Sequence, residues 1–159
     1  MKDFLATNIA TFFTVGKIPK APGTFGSLAA LPLAWFLWQL PTWLGWVVVF
    51  FVFALGCWAA QVIISRTGKE DHQSIVIDEV VGIFVTTSVA QHLWWHYLLA
   101  FCFFRLFDIL KPGPVRIIDK KVKGGFGAML DDFAASILAA VVLYIVLMSA
   151  PAIATKFSI

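Results

Sequence analysis

The sequence predicts an all-α fold: a polytopic integral membrane helical bundle with about five helical membrane segments and an N-terminal interfacial helix. Composition is the first observation behind this prediction, because 60% of the 159 residues are hydrophobic, 13% are charged and the mean hydropathy is +0.89. These values lie well outside the balance of soluble domains. The second observation is that apolar runs of helical length are separated by connections rich in lysine and arginine. At this length we expect a single membrane domain over residues 1–159.

The N-terminal stretch MKDFLATNIATFFTVGK shows a modest helical spacing of apolar residues, at Phe4, Leu5, Ile9, Phe12 and Phe13. It lacks the basic start, the clean apolar run and the small-residue cleavage site of a secretory signal peptide. We therefore expect a short helix that lies along the membrane interface.

Five apolar segments follow, and crossing the hydrocarbon core as a helix takes roughly 20 such residues. The first and third segments are short and are expected to be re-entrant or tilted, and Pro32 is expected to kink the first. Pro41 and Thr42 separate the first pair, and Gln91 and His92 separate the second. The predicted segments are residues 25–40, 43–64, 75–91, 93–110 and 128–149.

The distribution of charge predicts an orientation. Five crossings put eleven of the twelve lysines and arginines on one side of the membrane and leave Lys156 on the other. By the positive-inside rule, the basic side is cytoplasmic. Tryptophans fall at the opposite ends of the helices, as an aromatic belt on the far face requires: Trp43, Trp46, Trp94 and Trp95.

Carboxylates from three helices are predicted to meet at the cytoplasmic boundary. An ionised carboxylate at the membrane edge is costly unless it is compensated, and such acids usually mark a functional site. Each pair of adjacent acids could instead cap its own helix N-terminus, but a C-terminal acid such as Asp108 has no such explanation. Oxygen ligands without a thiolate favour Mg²⁺ over zinc. The acids are Asp78 and Glu79 in the third segment, Asp108 in the fourth, and Asp131 and Asp132 in the fifth.

Basic residues surround these acids. Arg105, Asp108 and Lys111 are spaced i, i+3, i+6 and share one helix face, and Pro112 ends the helix directly afterwards. Acids that hold a metal beside spare cations suit a phosphate ester, because the metal polarises the phosphoryl oxygens while Arg and Lys bind the others. Lys123 closes a basic run over residues 116–123, which either joins this site or touches lipid head groups.

Two stretches rich in small residues are candidate phosphate-binding turns. Gly124 and Gly125 directly precede an apolar helix, where backbone N–H groups can meet an anion. No Gly-Lys-Ser/Thr follows, so nucleotide binding is not indicated, and a simple turn is the alternative. In APGTFGS, Thr24 and Ser27 are either N-cap groups or further phosphate donors.

Other chemistries are poorly supported. Cys57 and Cys102 lie in apolar runs, where a free cysteine packs as a small hydrophobe, and no arginine follows either after six residues. His92 and His96 are expected at the interface, and His72 is either an acid–base group or a solvated loop residue. We expect no nucleic-acid partner.

Four blocks between residue 18 and about residue 136 resemble the phosphatidylglycerophosphatase A family of bacterial inner-membrane lipid phosphatases. They read IPKAPGTFGSLAALP, SIVIDEVVG and FRLFDILKPGPVRIIDKKVKGGFGAMLDD, the last containing two blocks. Asp71 and His72 look similar to the family's acidic loop, whereas Gly113 departs from the bulkier residue usual between the two prolines. The resemblance implies Mg²⁺-dependent hydrolysis of phosphatidylglycerophosphate to phosphatidylglycerol and inorganic phosphate, among membrane lipids of the bacterial inner membrane.

The resemblance and the charge pattern together give a hypothesis for the site. The catalytic acids that ligate Mg²⁺, directly or through water, would be Asp78, Glu79, Asp108, Asp131 and Asp132. The phosphate-binding residues would be Arg105, Lys111, Lys123, Thr24, Ser27, Gly124 and Gly125. Attack by water is expected, with an aspartyl phosphoenzyme as the alternative. Two alternative functions are a CDP-alcohol phosphotransferase and a small cation transporter. The Asp-Gly and Ala-Arg signatures of the phosphotransferase are missing here. A transporter would place its acids near mid-membrane, whereas these acids are expected at one membrane edge.

Overall fold

The computed structural model describes residues 2–68 and 73–157, with side chains described through residue 149. This part of the chain is helical and contains no strand, which confirms the all-α class. A single 3-10 turn at Val15–Lys17 follows the first helix. The α-helices are α1 (Lys2–Ala10), α2 (Pro22–Leu37), α3 (Thr42–Thr67), α4 (Ile77–Thr87), α5 (Trp94–Leu110), α6 (Gly113–Lys121) and α7 (Gly124–Phe157).

Within the described residues, α3 and the part of α7 over Gly124–Ser149 are long and apolar enough to cross a membrane. Each offers 26 residues, more than the roughly 20 that the hydrocarbon core requires. Gly68 ends α3 in the left-handed conformation, with φ of 68°, which glycine adopts without a steric penalty. α2 and α4, with 16 and 11 residues, are shorter than a usual span, so helix length alone does not establish five crossings.

α4 is the core helix of the bundle. Nine of its eleven residues are buried, and the two that are not are Asp78 and Glu79 in its first turn. α4 is shorter than the segment predicted over residues 75–91. A helix that is apolar on every side is suited to a protein core as well as to a membrane span, so its apolar composition did not fix its length. The hydroxyls of Thr86 and Thr87 donate to the carbonyls four residues earlier at 2.8 and 2.7 Å, which satisfies them inside the core.

The helices α2 to α5 and α7 alternate in direction. One end of the bundle collects the starts of α2, α4 and α7 with the ends of α3 and α5, as the contacts of the candidate site below demonstrate. At the other end, Trp38 Nε1 donates to the Phe84 carbonyl and to Thr87 Oγ1, each at 3.1 Å, which ties the end of α2 to the end of α4. His92 stacks edge-on against Trp35 at this end, away from the acids.

α7 is central because it packs against α3, α4, α5 and α6. It begins at Gly124, four residues before the predicted segment, so Gly125 and Gly127 form its first turn and not a separate loop. α6 is a second correction, since residues 113–121 are helical where a basic connection was expected. Pro112 and Pro114 are compatible with a helix start, where the missing N–H groups are not needed.

α1 packs against α3 at the end of the bundle that holds the acids. Its small residues Ala6 and Ala10 are fully buried, while Phe4 and Leu5 are exposed. Asp3 lies 3.7 Å from Arg66 near the end of α3, an exposed ion pair that contributes little to stability. A helix is thus present at the N-terminus, and its exposed apolar side chains are available to a membrane interface.

Candidate active site

A cavity of about 680 Å³ lies where the starts of α2, α4 and α7 meet the end of α5. Among the described residues, six carboxylates and three basic side chains line it, a formal excess of three negative charges. The five acids predicted from the sequence are all part of this lining. The charged residues are Asp78, Glu79, Asp108, Asp119, Asp131, Asp132, Arg105, Lys111 and Lys123.

Three carboxylates form the most compact group. Asp78, Glu79 and Asp132 each offer one oxygen, and these oxygens all lie within 4.8 Å of one another. The first two begin α4, where the Glu79 N–H donates to Asp78 Oδ1 at 3.0 Å, and the third comes from α7. This oxygen-only donor set, drawn from two helices, is the type that a hard divalent cation takes.

Arg105 links the acids of α4 and α5. Its Nη1 lies 2.5 Å from Asp108 Oδ2, one turn further along α5, and 3.5 Å from Glu79 Oε1. All three side chains are less than one fifth exposed, so solvent screens these pairs weakly. The arrangement confirms that Arg105 and Asp108 share a helix face and shows that this face points towards α4.

Lys111 makes a second bridge between elements. It ends α5 in the left-handed conformation, with φ of 42°, and its Nζ donates to Asp119 of α6 and Asp131 of α7 at 2.5 Å each. Burial alone would lower the pKa of Lys111, but the hydrogen bonds to the two carboxylates raise it above its ordinary value. The hydrogen bond from Lys111 likewise lowers the pKa of Asp119.

Several buried polar atoms in this cavity have no hydrogen-bond partner among the described residues. They include two carboxylate oxygens, Glu79 Oε2 and Asp131 Oδ1, and the guanidinium nitrogen Arg105 Nε. Leaving such a group unsatisfied costs about 1–3 kcal/mol, and more when it is charged. Two open acceptors and one open donor at one cavity therefore fit a site that takes up a cation together with an anion.

Gly23 allows this assembly to close. A Cβ built on Gly23 would collide with Glu79 Oε1 and would lie 3.2 Å from Arg105 Nη1. The start of α2 therefore lies directly against the ion pair between α4 and α5, an approach that a side chain at this position would block.

Three residues predicted to bind phosphate do not line the cavity. Ser27 is fully buried, and its hydroxyl donates to the Gly23 carbonyl at 2.8 Å. Thr24 lies outside the lining, and the Gly125 N–H donates to Gln61 Oε1 of α3 at 2.8 Å. Lys123 and Gly124, in contrast, do line the cavity.

Two residues at this end of the bundle were absent from the sequence-based set. Asp119 lines the cavity and bonds Lys111; it lies between Arg116 and Lys120, and the charge pattern assigned it no role in the site. Gln61 contacts the start of α7 from a helix with no acid of its own, and no pattern in the sequence distinguishes it. Asp71 and His72 lie outside the described residues.

Comparison with known proteins identifies the family of this chain. The profile of the family Phosphatidylglycerophosphatase A matches residues 8–147. Phosphatidylglycerophosphatase A of Haemophilus influenzae is 44% identical over 142 residues, covering 86% of this chain and 85% of the relative. The protein of the same name in Escherichia coli is 38% identical over 143 residues, covering 87% and 81%.

A third relative, from Bacteroides thetaiotaomicron, carries a provisional name as a phosphatidylinositol-3-phosphatase. It is 38% identical over 148 residues, which is 85% of this chain and 89% of the relative. No solved structure matches the chain. The family profile and the two relatives named Phosphatidylglycerophosphatase A span nearly all the described helices, so the chain is a phosphatase of the phosphatidylglycerophosphatase A family.

Proposed function

We propose that this protein is a Mg²⁺-dependent phosphatase that hydrolyses phosphatidylglycerophosphate to phosphatidylglycerol and inorganic phosphate at the cytoplasmic boundary of the bacterial inner membrane. The observation that carries the proposal is the charge of the cavity, which is lined by six carboxylates and three basic side chains among the described residues. A phosphate monoester carries between one and two negative charges near neutral pH. Such an anion would be repelled from this cavity unless a cation entered with it.

The residues present fit Mg²⁺. Asp78, Glu79 and Asp132 would hold the ion, since their oxygens converge within 4.8 Å and no thiolate competes for it. Asp108 and Asp131 already accept hydrogen bonds from Arg105 and Lys111, so they would act through water or by orienting these bases. A bound Mg²⁺ supplies Lewis acidity to the phosphoryl oxygens and to a nearby water.

The basic residues would bind the phosphoryl group. Arg105 Nε is buried and open, and Lys111 has three N–H donors with two engaged, so both retain capacity for an oxygen of the ester. Lys123 lines the same cavity at the start of α7 and would add a third positive charge. Attack by water then breaks the bond from phosphorus to the glycerol oxygen, which leaves with a proton as the lipid alcohol.

A lipid substrate would reach this cavity from the side. Ile109 of α5 lines the cavity and is 68% exposed, so it connects the charged interior with the apolar outer face. Leu106, one turn earlier, is also exposed and extends this face along α5. The phosphate would enter the cavity while the acyl chains stay against these side chains in the membrane.

A panel of lipid phosphates tests the proposal. The purified protein would receive phosphatidylglycerophosphate, phosphatidic acid and phosphatidylinositol phosphates, first with Mg²⁺ and then with EDTA, and phosphate release would be measured. We expect the fastest release from phosphatidylglycerophosphate and loss of at least about 100-fold with EDTA, restored by added Mg²⁺. Preference for another lipid would overturn the substrate, and full activity in EDTA would overturn the metal.

A further inference from the structure

We infer that Gln61 of α3 is a positioning residue that fixes the start of α7 and so aims the carboxylates of Asp131 and Asp132. The catalytic part of this inference rests on the proposed function, whereas the structural part does not. Gln61 does not line the cavity and would not touch the substrate.

The hydrogen bonds of the Gln61 amide define its role. Oε1 accepts from the Gly125 N–H at 2.8 Å, across 64 residues of sequence. Nε2 donates to Ser65 Oγ at 3.1 Å, and this hydroxyl donates to the Gln61 carbonyl at 2.8 Å, so the amide is held from its other side. The side chain is thus oriented by its own helix and presents its acceptor to α7.

The first N–H groups of a helix have no partner inside the helix and require one from elsewhere. A side-chain acceptor just before the helix usually supplies it, but the residue before Gly124 is Lys123, whose ammonium carries no acceptor. Gln61 supplies this acceptor from a different helix. The cap of α7 is therefore a tertiary contact, and its geometry depends on the position of α3.

The backbones of α3 and α7 touch at this point. A Cβ built on Gly125 would collide with the Cys57 carbonyl and with the backbone nitrogen of Gln61. Gly124, with φ of 75°, makes the turn that brings α7 onto α3. The start of α7 has no room to move towards α3, and the Gln61 hydrogen bond opposes movement away from α3 and rotation about the helix axis.

This constraint reaches the carboxylates because Asp131 and Asp132 follow Gly125 on the same helix by less than two turns. A rotation of α7 would carry Asp132 away from Asp78 and Glu79, and would carry Asp131 away from Lys111. Misplacement of catalytic groups by about 1 Å can reduce turnover on the order of 100-fold.

The test compares Gln61→Met, which keeps the side-chain length but removes the acceptor, with Gln61→Glu, which keeps an acceptor. A negative charge at a helix N-terminus is favourable, so Gln61→Glu should restore the contact. Gln39→Met is the matched control, because Gln39 lies at the opposite end of the bundle and bonds the Trp35 carbonyl within its own segment.

Two measurements are made in the same detergent. Hydrogen exchange of the peptide over residues 124–132 should accelerate on the order of fivefold in Gln61→Met and stay near wild type in Gln61→Glu and Gln39→Met. On the best lipid phosphate of the panel, kcat of Gln61→Met should fall on the order of tenfold, with KM changed by less than about twofold.

Unchanged exchange in Gln61→Met would overturn the inference, because the cap would then not hold α7. Faster exchange with an unchanged kcat would overturn its catalytic half. The exchange measurement needs no substrate, so a wild-type protein inactive on every lipid phosphate would overturn the proposed function and leave the Gln61 contact tested independently.

Discussion

Arg105 and Lys111 each contact two carboxylates: those of Arg105 lie on its own helix and on α4, and those of Lys111 lie on α6 and α7. Arg105 contacts Asp108 and Glu79, and Lys111 contacts Asp119 and Asp131. A phosphate that binds the remaining N–H groups of these bases would therefore compete with the carboxylates for the same two positive charges. A divalent cation on the carboxylates would relieve this competition, and for this reason we expect Mg²⁺ and phosphate to strengthen each other's binding.

The first prediction concerns Asp132, the buried member of the compact group of acids. Asp132→Asn removes one charge and one strong oxygen donor from the cluster with Asp78 and Glu79. We expect kcat/KM to fall more than about 100-fold. Replacing a residue that only orients a metal ligand typically has a smaller effect, roughly 10–100-fold. The Mg²⁺ concentration that gives half-maximal phosphate release should rise in parallel.

Asp3→Asn is the control for this prediction, because Asp3 is an exposed acid whose contact with Arg66 is long and solvated. It should leave both the activity and the Mg²⁺ requirement near wild type. An Asp132→Asn protein with an unchanged Mg²⁺ requirement would contradict the assignment of Asp132 as a ligand.

At the residue scale, all five predicted acids line the cavity, whereas the predicted hydroxyls and one predicted backbone donor do not. Asp108 and Arg105 could be paired because a helix places residues three apart on one face. The position of Ser27 outside the lining could not be predicted, because composition does not reveal that its hydroxyl donates to a carbonyl four residues earlier in its own helix. The contact of Gly125 could not be predicted either, since its hydrogen-bond partner lies 64 residues away.

At the scale of helices, the start of α2 is pressed against α4 and α5 through Gly23. In Gly23→Ala the added methyl would displace the Glu79 carboxylate and disturb Arg105. We expect phosphate release to fall more than about tenfold, because the bases and acids would lose their mutual alignment. Melting temperature in detergent should change little, since alanine is the better helix former by up to about 1 kcal/mol.

Gly113→Ala provides the comparison, because a Cβ at Gly113 meets nothing within 4 Å. It should retain wild-type activity. Equal activity in the two variants would show that the approach of α2 does not shape the cavity.

A second prediction at this scale concerns the exposed face of α5. Ile109→Gln makes the proposed route for acyl chains polar, so KM for a long-chain lipid phosphate should rise roughly fivefold. A short-chain, water-soluble analogue should be unaffected. Ile117→Gln is the control, because Ile117 is also exposed but lies on α6 and outside the cavity. Equal losses on both substrates would contradict lateral access at Ile109.

The helices themselves were predictable to different degrees. α3 followed directly from a long apolar run, and α5 from residues 93–110 almost to the residue. α4 was predicted too long because the apolar composition of residues 75–91 suits contact with lipid and contact with protein equally. The helix that forms is short and is buried against protein. α6 was missed because a nine-residue helix of basic character has no apolar run, and its single buried apolar residue is Val115.

At the scale of the whole molecule, the alternation of helices gathers the acids and most bases at one end. The topology predicted from the charges makes that end cytoplasmic. The prediction can be tested with single cysteines in a background of Cys57→Ala and Cys102→Ala. Lys120→Cys lies at the cavity end and Gln91→Cys at the opposite end, and both positions are exposed.

A membrane-impermeant maleimide added to cells with a permeabilised outer membrane should label Gln91→Cys. It should reach Lys120→Cys only after the inner membrane is broken. Labelling in the reverse pattern would invert the orientation, and labelling of both positions before lysis would contradict the crossings between them.

The anchored start of α7 should make turnover insensitive to the thickness of the host bilayer. One continuous helix carries Asp131 and Asp132 at its start and then runs through the middle of the bundle. When a helix is longer than the surrounding hydrocarbon layer, it can tilt, at a cost of fractions of a kcal/mol per Å of mismatch. Because α7 is anchored to α3 at its first turn, tilting would pivot near the carboxylates and spare their geometry, so vesicles of shorter acyl chains should support similar turnover.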